Sequence, residues 1–177
     1  YKKQLAGSIG NVGCFSLHPL KNLNGAGDGG IIVTNDDQLA MKLGLLRNHG
    51  LESRDKIVLW GHNSRLDSIQ AAILNIRLKE LPKIIEQRRQ FAKIYCDKLK
   101  PWVLCPKDMS DCYDTYHLFV IQTPQREVLK EYLKTNEIET SIHYPVPIHL
   151  QPCAKHLGYK TGDFPNIEQQ SQQILSM

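Results

Sequence analysis

The sequence predicts an α/β chain whose first part belongs to a layered, sheet-containing domain and whose last part is a smaller α+β unit. Three observations carry this. Two short β-prone runs, Val12–Ser16 and Gly30–Thr34, flank a glycine-rich connection. Capped amphipathic helices follow, one after Asn35 and one after Asp67. From about Asp114 the order changes to strand, helix, strand. Pro101, Pro106 and the polar residues near them mark the change, which puts the first part at residues 1–100 and the second at 101–177.

Val12–Ser16 reads as a short buried strand, and Ile31-Ile32-Val33 suits a strand buried on both faces. Asn35 is the expected N-cap of the next helix, with Asp36 and Asp37 at the positive end of its dipole and Gln38 completing a capping box. Leu39, Ala40, Leu43 and Leu46 form its apolar face, and Gly50 is placed to close it in the left-handed conformation. Leu51–Trp60 passes from polar to apolar and reads as a loop. Asp67 and Gln70 form a second capping box, for a helix with Ile69, Ala72, Ile73 and Ile76 on one side. Pro82 breaks or kinks that helix after Leu81, and a second amphipathic run continues from Ile84 to Lys100. Beyond it, Tyr116–Ile121 is an expected strand, Gln125–Leu133 a helix and Ile138–Tyr144 a strand. That strand ends in a proline-stiffened loop carrying His143, Tyr144 and His149, a fitting place to hold polar rings at a cleft. Asp163-Phe164-Pro165 starts a last helix through Ile174 and Leu175.

The clearest chemistry lies between Cys14 and Gly30. Lys21 follows an apolar lead-in and precedes Gly25, Gly27, Gly29 and Gly30, which together call for a tight, irregular connection. An amine restrained and desolvated on such a loop is a nucleophile toward carbonyls; without that setting it is one more surface lysine. Asn63 and Arg65 precede a helix start, where side-chain donors and unpaired backbone N–H groups favour anions, although an ordinary helix start has the same composition. Asn48-His49-Gly50 reads as a helix exit ahead of a chemical role for His49, and His117 as a histidine of a strand.

The net charge is +4, with lysines and arginines interspersed among acids, so no nucleic-acid surface is expected. No apolar run approaches the roughly 18 residues of a membrane span, and no signal-peptide pattern opens the sequence, so a cytoplasmic protein is expected. Cys14, Cys96, Cys105, Cys112 and Cys153 contain no CxxC pair, which fits reduced thiols. Cys105, Cys112, His117 and Cys153 follow no common zinc spacing, and no metal is expected.

Phe15-Ser16-x-His18-Pro19-x-Lys21, running into Gly27-Asp28-Gly29-Gly30, resembles the lysine region of the DegT/DnrJ/EryC1/StrS family of pyridoxal-phosphate-dependent sugar aminotransferases. Further blocks stand in that family's order: Arg47-Asn48-His49-Gly50, Gly61-His62-Asn63-Ser64-Arg65-Leu66-Asp67, Gln70-Ala71-Ala72, and His143-Tyr144-Pro145 with His149. The resemblance implies the aspartate aminotransferase-like fold type I, with part of its large domain and an incomplete small α+β domain. Family members extend before Tyr1 and beyond Met177, so the chain is expected to be the C-terminal half of a longer one.

It further implies that Lys21 attaches covalently to pyridoxal 5'-phosphate and carries protons during amino transfer, while Ser16 contacts the cofactor phosphate. Asn63 would reach the phosphate of the other subunit in a homodimer with shared sites. Arg65, His143 and Tyr144 would contact the sugar nucleotide, the last two from the neighbouring subunit. The implied reaction moves an amino group from a donor such as glutamate to a nucleotide-linked keto-deoxy sugar. The segment from Trp60 to Asp67 looks more like relatives acting on 3-keto than on 4-keto sugars. Some family members are regulatory, so a non-catalytic protein binding the cofactor or a sugar nucleotide, or an inactive fragment, stays open beside the enzyme.

Overall fold

The computed structural model describes residues 1–177, which divide into two compact units: Tyr1–Gln87 with Met109–Thr115, and Arg88–Asp108 with Tyr116–Met177. No helix is long and apolar enough to cross a membrane.

In the first unit, strands β1 (Gly13–Ser16) and β2 (Gly30–Val33) form an antiparallel pair, Cys14 opposite Ile32 and Phe15 opposite Ile31. The apolar run of β2 was expected to be buried on both faces. It is exposed along its length, because β1 is its one strand neighbour and a cleft of about 970 Å³ opens between it and the following helix. That helix, α1 (Asp37–Leu46), starts one residue later than its composition suggests. Asp36, not Asn35, is the N-cap: its Oδ1 accepts the N–H groups of Gln38 and Leu39 at 2.9 and 3.0 Å, so Gln38 has no capping-box role. Thr34 Oγ1 sets this start by accepting the Asp36 N–H at 3.1 Å.

Arg47 is the C-cap, and the chain leaves through His49 and Gly50, both at positive φ, with the Gly50 N–H donating to the Leu45 carbonyl at 2.8 Å. Gly50 is the left-handed residue its position predicts, and a Cβ there would collide with the Leu59 carbonyl. The stretch expected as a loop contains a small hairpin, β3 (Leu51–Ser53) with β4 (Lys56–Ile57), clasped by the Glu52–Lys56 ion pair.

Pro82 does not end the next element. Helix α2 (Ser68–Leu99) runs for 32 residues, because one missing N–H donor costs a single rung while the bonds on either side persist. Two expected helices are therefore one.

The second unit is built on a core of Ala92, Tyr116, Phe119, Ile121, Leu133 and Leu175, against which Val103, Leu129 and Ile142 pack. Tyr95 stacks on Phe119 with ring centroids 5.3 Å apart. The expected strand at 116–121 is reduced to β5 (Val120–Gln122), and α3 (Arg126–Thr135) follows as anticipated. Residues 138–144 form no strand; Ser141 makes only an isolated bridge to Ser176. The partner of β5 is instead β6 (Ile174–Ser176), antiparallel, with Ile121 opposite Leu175. The last helix, α4 (Pro165–Gln173), accordingly stops before Ile174. Pairing across the core removes Leu175 and Ile121 from water altogether, at 0% and 1% exposed, which an extension of the helix would not achieve.

Candidate active site

Strand β1 delivers Ser16 to a loop that turns back on itself around one residue. Leu17 is buried; its N–H donates to the Gly29 carbonyl and its carbonyl accepts the Gly25 N–H, both at 2.8 Å. Gly25, inside the segment 17–29, and Gly29, at its end, are thereby both tied to Leu17. Inside it the His18 carbonyl accepts the Lys21 N–H at 2.9 Å, and His18 Nδ1 accepts the Leu20 N–H at 3.1 Å. Serving as acceptor at Nδ1, the neutral ring carries its proton on Nε2, which lies 3.9 Å from Asp28 Oδ1. Asn24 Nδ2 donates to the Pro19 carbonyl at 2.7 Å and Asn22 Nδ2 to the Thr115 carbonyl at 3.0 Å. Lys21, half-buried, therefore projects from backbone tied on both sides.

Two sequence blocks that are well separated along the chain prove to be partners. The N–H groups of His49 and His62 donate to the carbonyls of His62 and Leu46 at 2.8 and 2.7 Å, and the Ser64 N–H donates to the Arg47 carbonyl at 2.8 Å. Asn48 and Asn63 face each other in an antiparallel bridge. His49 thus acts in the chain path that holds Asn63, which supports the structural reading of that histidine. Arg65 Nε donates to Asn63 Oδ1 at 3.0 Å, fixing the two side chains together. Arg65 also lines the cleft beside β2 with Arg47, Asp28 and Gly29, so the residues before α2 and the end of the Lys21 loop share one wall.

Ser16, Lys21, Asn63 and Arg65 all lie in the first unit. His143 and Tyr144 lie in the second, their rings edge to face at 5.4 Å. His143 Nδ1 is 2.9 Å from Ser176 Oγ and lines a cleft of about 730 Å³ with Lys130 and Lys134, while Tyr144 is 72% exposed.

His149 was expected to stand with these rings at a cleft. It is buried instead, with Nε2 3.0 Å from Glu168 Oε1 and its ring 4.7 Å from that of Phe164. Glu168 also accepts the N–H groups of Gly162, at 2.8 Å to Oε2, and Phe164, at 3.2 Å to Oε1. The Gly162 bond above all, then His149 and Phe164, holds this carboxyl below the ordinary glutamate value of 4.5. A carboxylate depressed on folding stabilises the folded state above its unfolded value, and that contribution is lost as pH falls through the lower folded value. The melting temperature is expected to drop below about pH 4.5, and Glu168→Gln to flatten that part of a melting-temperature-against-pH curve.

Sequence reasoning missed Glu168 and misassigned Gln70. Its Oε1 accepts the Ala26 N–H at 2.8 Å, in the glycine turn after Lys21, and so serves the lysine loop. The spacing of Asp67 and Gln70 is equally that of a capping box, and a contact 44 residues distant leaves no local signal.

The model of the DegT/DnrJ/EryC1/StrS aminotransferase family matches residues 1–177. The chain belongs to this family. Among curated relatives it is 39% identical over 181 residues to the pleiotropic regulatory protein of Geobacillus stearothermophilus, covering 100% of this chain and 49% of that one. It is 37% identical over 179 residues to the dTDP-3-amino-3,4,6-trideoxy-alpha-D-glucose transaminase of Streptomyces venezuelae, covering 100% of this chain and 47% of that one. The chain thus spans about half the length of the curated relatives it matches. The structure of DesV from S. venezuelae in complex with a ketimine intermediate superposes with a TM-score of 0.95 at 38% identity, covering 100% of this chain and 48% of DesV. The fold is the mixed α/β fold type I of pyridoxal-phosphate-dependent aminotransferases, as the sequence led us to expect.

The residues present suit that cofactor. Ser16 Oγ accepts the His18 N–H at 3.4 Å and keeps its own O–H to donate to a phosphate oxygen. Lys21 offers a primary amine on tied backbone five residues on. In the turn beyond it a Cβ on Gly29 would stand 2.9 Å from Leu66 Cδ1.

Proposed function

We propose that these residues form the C-terminal half of a homodimeric aminotransferase that moves an amino group from an amino acid such as glutamate to a nucleotide-linked keto-deoxy sugar. The observation that carries the proposal is Lys21 on a loop closed by two hydrogen bonds to buried Leu17, directly after the hydroxyl of Ser16. In this reading residues 1–100 are the last part of the large domain with its bridging helix, and residues 101–177 an incomplete small domain.

Pyridoxal phosphate, when bound, supplies an electron sink that makes a proton labile on the carbon bearing the transferred nitrogen. Lys21 is the residue that holds it covalently and Ser16 a donor to its phosphate. Displaced from that bond by the donor's amine, Lys21 Nζ would take the proton from the donor's Cα as a free base and, as an ammonium, deliver it to the carbon to which Lys21 had been joined, so one atom serves as base and acid. The ties of segment 17–29 keep the base of that side chain in place while its tip moves.

Asn63, fixed by Arg65, serves the phosphate of the second copy, and Arg65, His143 and Tyr144 take the sugar nucleotide. Trp60, nearly fully exposed three residues from Asn63, favours an interface there. The S. venezuelae transaminase is named for an amino group at C3, which favours a 3-keto acceptor for this chain as well. The name of the G. stearothermophilus relative favours a second reading, a regulatory protein that binds the same ligands without turnover.

Incubation of the full-length protein with pyridoxal phosphate, glutamate and a panel of nucleotide-linked 3-keto and 4-keto sugars separates the two. Formation of 2-oxoglutarate with a nucleotide-linked amino sugar is expected. Binding of cofactor and sugar nucleotide with no transfer across the panel would replace the enzyme by the regulator.

A further inference from the structure

We infer that Gln70 is a positioning residue for Lys21, an inference that rests on Lys21 being the reacting amine. The segment between the two ties on Leu17 is rich in glycine and gains little rigidity from its own backbone. The Ala26 N–H, within it, donates to Gln70 Oε1 at 2.8 Å, across 44 residues of chain.

The fit around that amide is close on both sides. A Cβ on Gly25 would stand 3.1 Å from Gln70 Oε1, and one on Gly27 would stand 2.7 Å from Gln70 Nε2. The carboxamide therefore lies against two backbone positions where an added Cβ would displace it. Four residues earlier Leu66 makes the matching apolar contact with Gly29. Leu66, just before α2, and Gln70, in its first turn, thus hold the turn at two points, through a methyl group and through an amide. The same stretch carries Asn63 and Arg65, so the grip also sets the spacing between the lysine loop and the residues offered to the second copy's phosphate and to the sugar nucleotide.

Lys21 precedes this turn by only four residues. A proton carrier must stay within about 3–3.5 Å of the reacting carbon, and misplacement by an ångström costs up to about 100-fold in rate. Freeing the turn at Ala26 loosens one of the two supports of the lysine backbone without altering any group that touches substrate.

The test uses the full-length protein. Gln70→Ala is expected to lower kcat about tenfold while KM for the amino donor changes less than about twofold. It is also expected to speed hydrogen exchange at the Ala26 amide, a readout that needs no turnover. Gln70→Glu keeps an oxygen acceptor for that N–H and is expected to retain slow exchange and most of kcat. Gly27 has no positive φ, so the cost of Gly27→Ala is the collision with Gln70; this variant is expected to mimic Gln70→Ala, and the double variant to be no worse than either. Unchanged Ala26 exchange in Gln70→Ala, losses that add in the double variant, or a lowered melting temperature with kcat per folded molecule unchanged would each overturn the inference. If the wild type transfers no amino group while Gln70→Ala still frees the Ala26 amide, the clamp stands and it is the proposed reaction that fails.

Discussion

Replacing Lys21 by alanine in the full-length protein is expected to abolish amino transfer, a loss of about 10⁴-fold or more, because in the proposed reaction one atom would supply both the covalent hold on the cofactor and the mobile proton. The substitution should not unfold the loop. Its hydrogen bonds run through the Lys21 backbone N–H and through Leu17, His18 and Asn24, all of which persist in the variant. The cofactor's absorbance band near the visible edge, present on adding pyridoxal phosphate to the wild type, should be lost while the circular dichroism spectrum is unchanged. Residual turnover near the wild-type rate would mean that another group holds the proton.

The largest expected effect on stability lies in the second unit. Leu175 is fully buried opposite Ile121, with Phe119 and Leu133 in the same cluster, so Leu175→Ala removes apolar contacts and leaves a cavity that these neighbours fill only in part. A loss of about 3 kcal/mol is expected, read as a lower urea midpoint. Ile174→Ala, on the less buried neighbour, should cost markedly less. Equal losses would mean that β6 does not pair as described.

How far the fold was legible depended on the range of the forces involved. Helices α1 and α3 were visible because the signals of a helix are local ones, in α1 an apolar period and a capping side chain, the last of which α3 lacks. The N-cap of α1 moved by one residue because Asn35 and Asp36 are both good caps, and a threonine hydroxyl before them decided the matter. Strand β6 could not be read: Ile174, Leu175, Ser176 and Met177 continue the helical pattern of α4, and only Ile121, more than fifty residues earlier, makes a strand the better burial.

The candidate site divides in the same way. Lys21 and Ser16 were singled out by a family's pattern, while spacing alone left Lys21 an ordinary surface lysine, and the glycines implied the tight connection that follows it. The pairing of residues 46–49 with 62–64 was not, since backbone hydrogen bonds leave no mark in side-chain composition. Gln70 was masked by a local explanation of its own, the capping box. His149 was misread because a histidine in a proline-rich loop suggests a cleft, whereas its partner Glu168 lies on α4 and draws it inward.

The central claim is that Lys21 carries the cofactor. Borohydride reduction of the full-length protein with pyridoxal phosphate, followed by peptide mapping, tests it most directly. The predicted result is a pyridoxyl group on the peptide containing Lys21 and no other. Modification of a different lysine, or none at all under saturating cofactor, would contradict it.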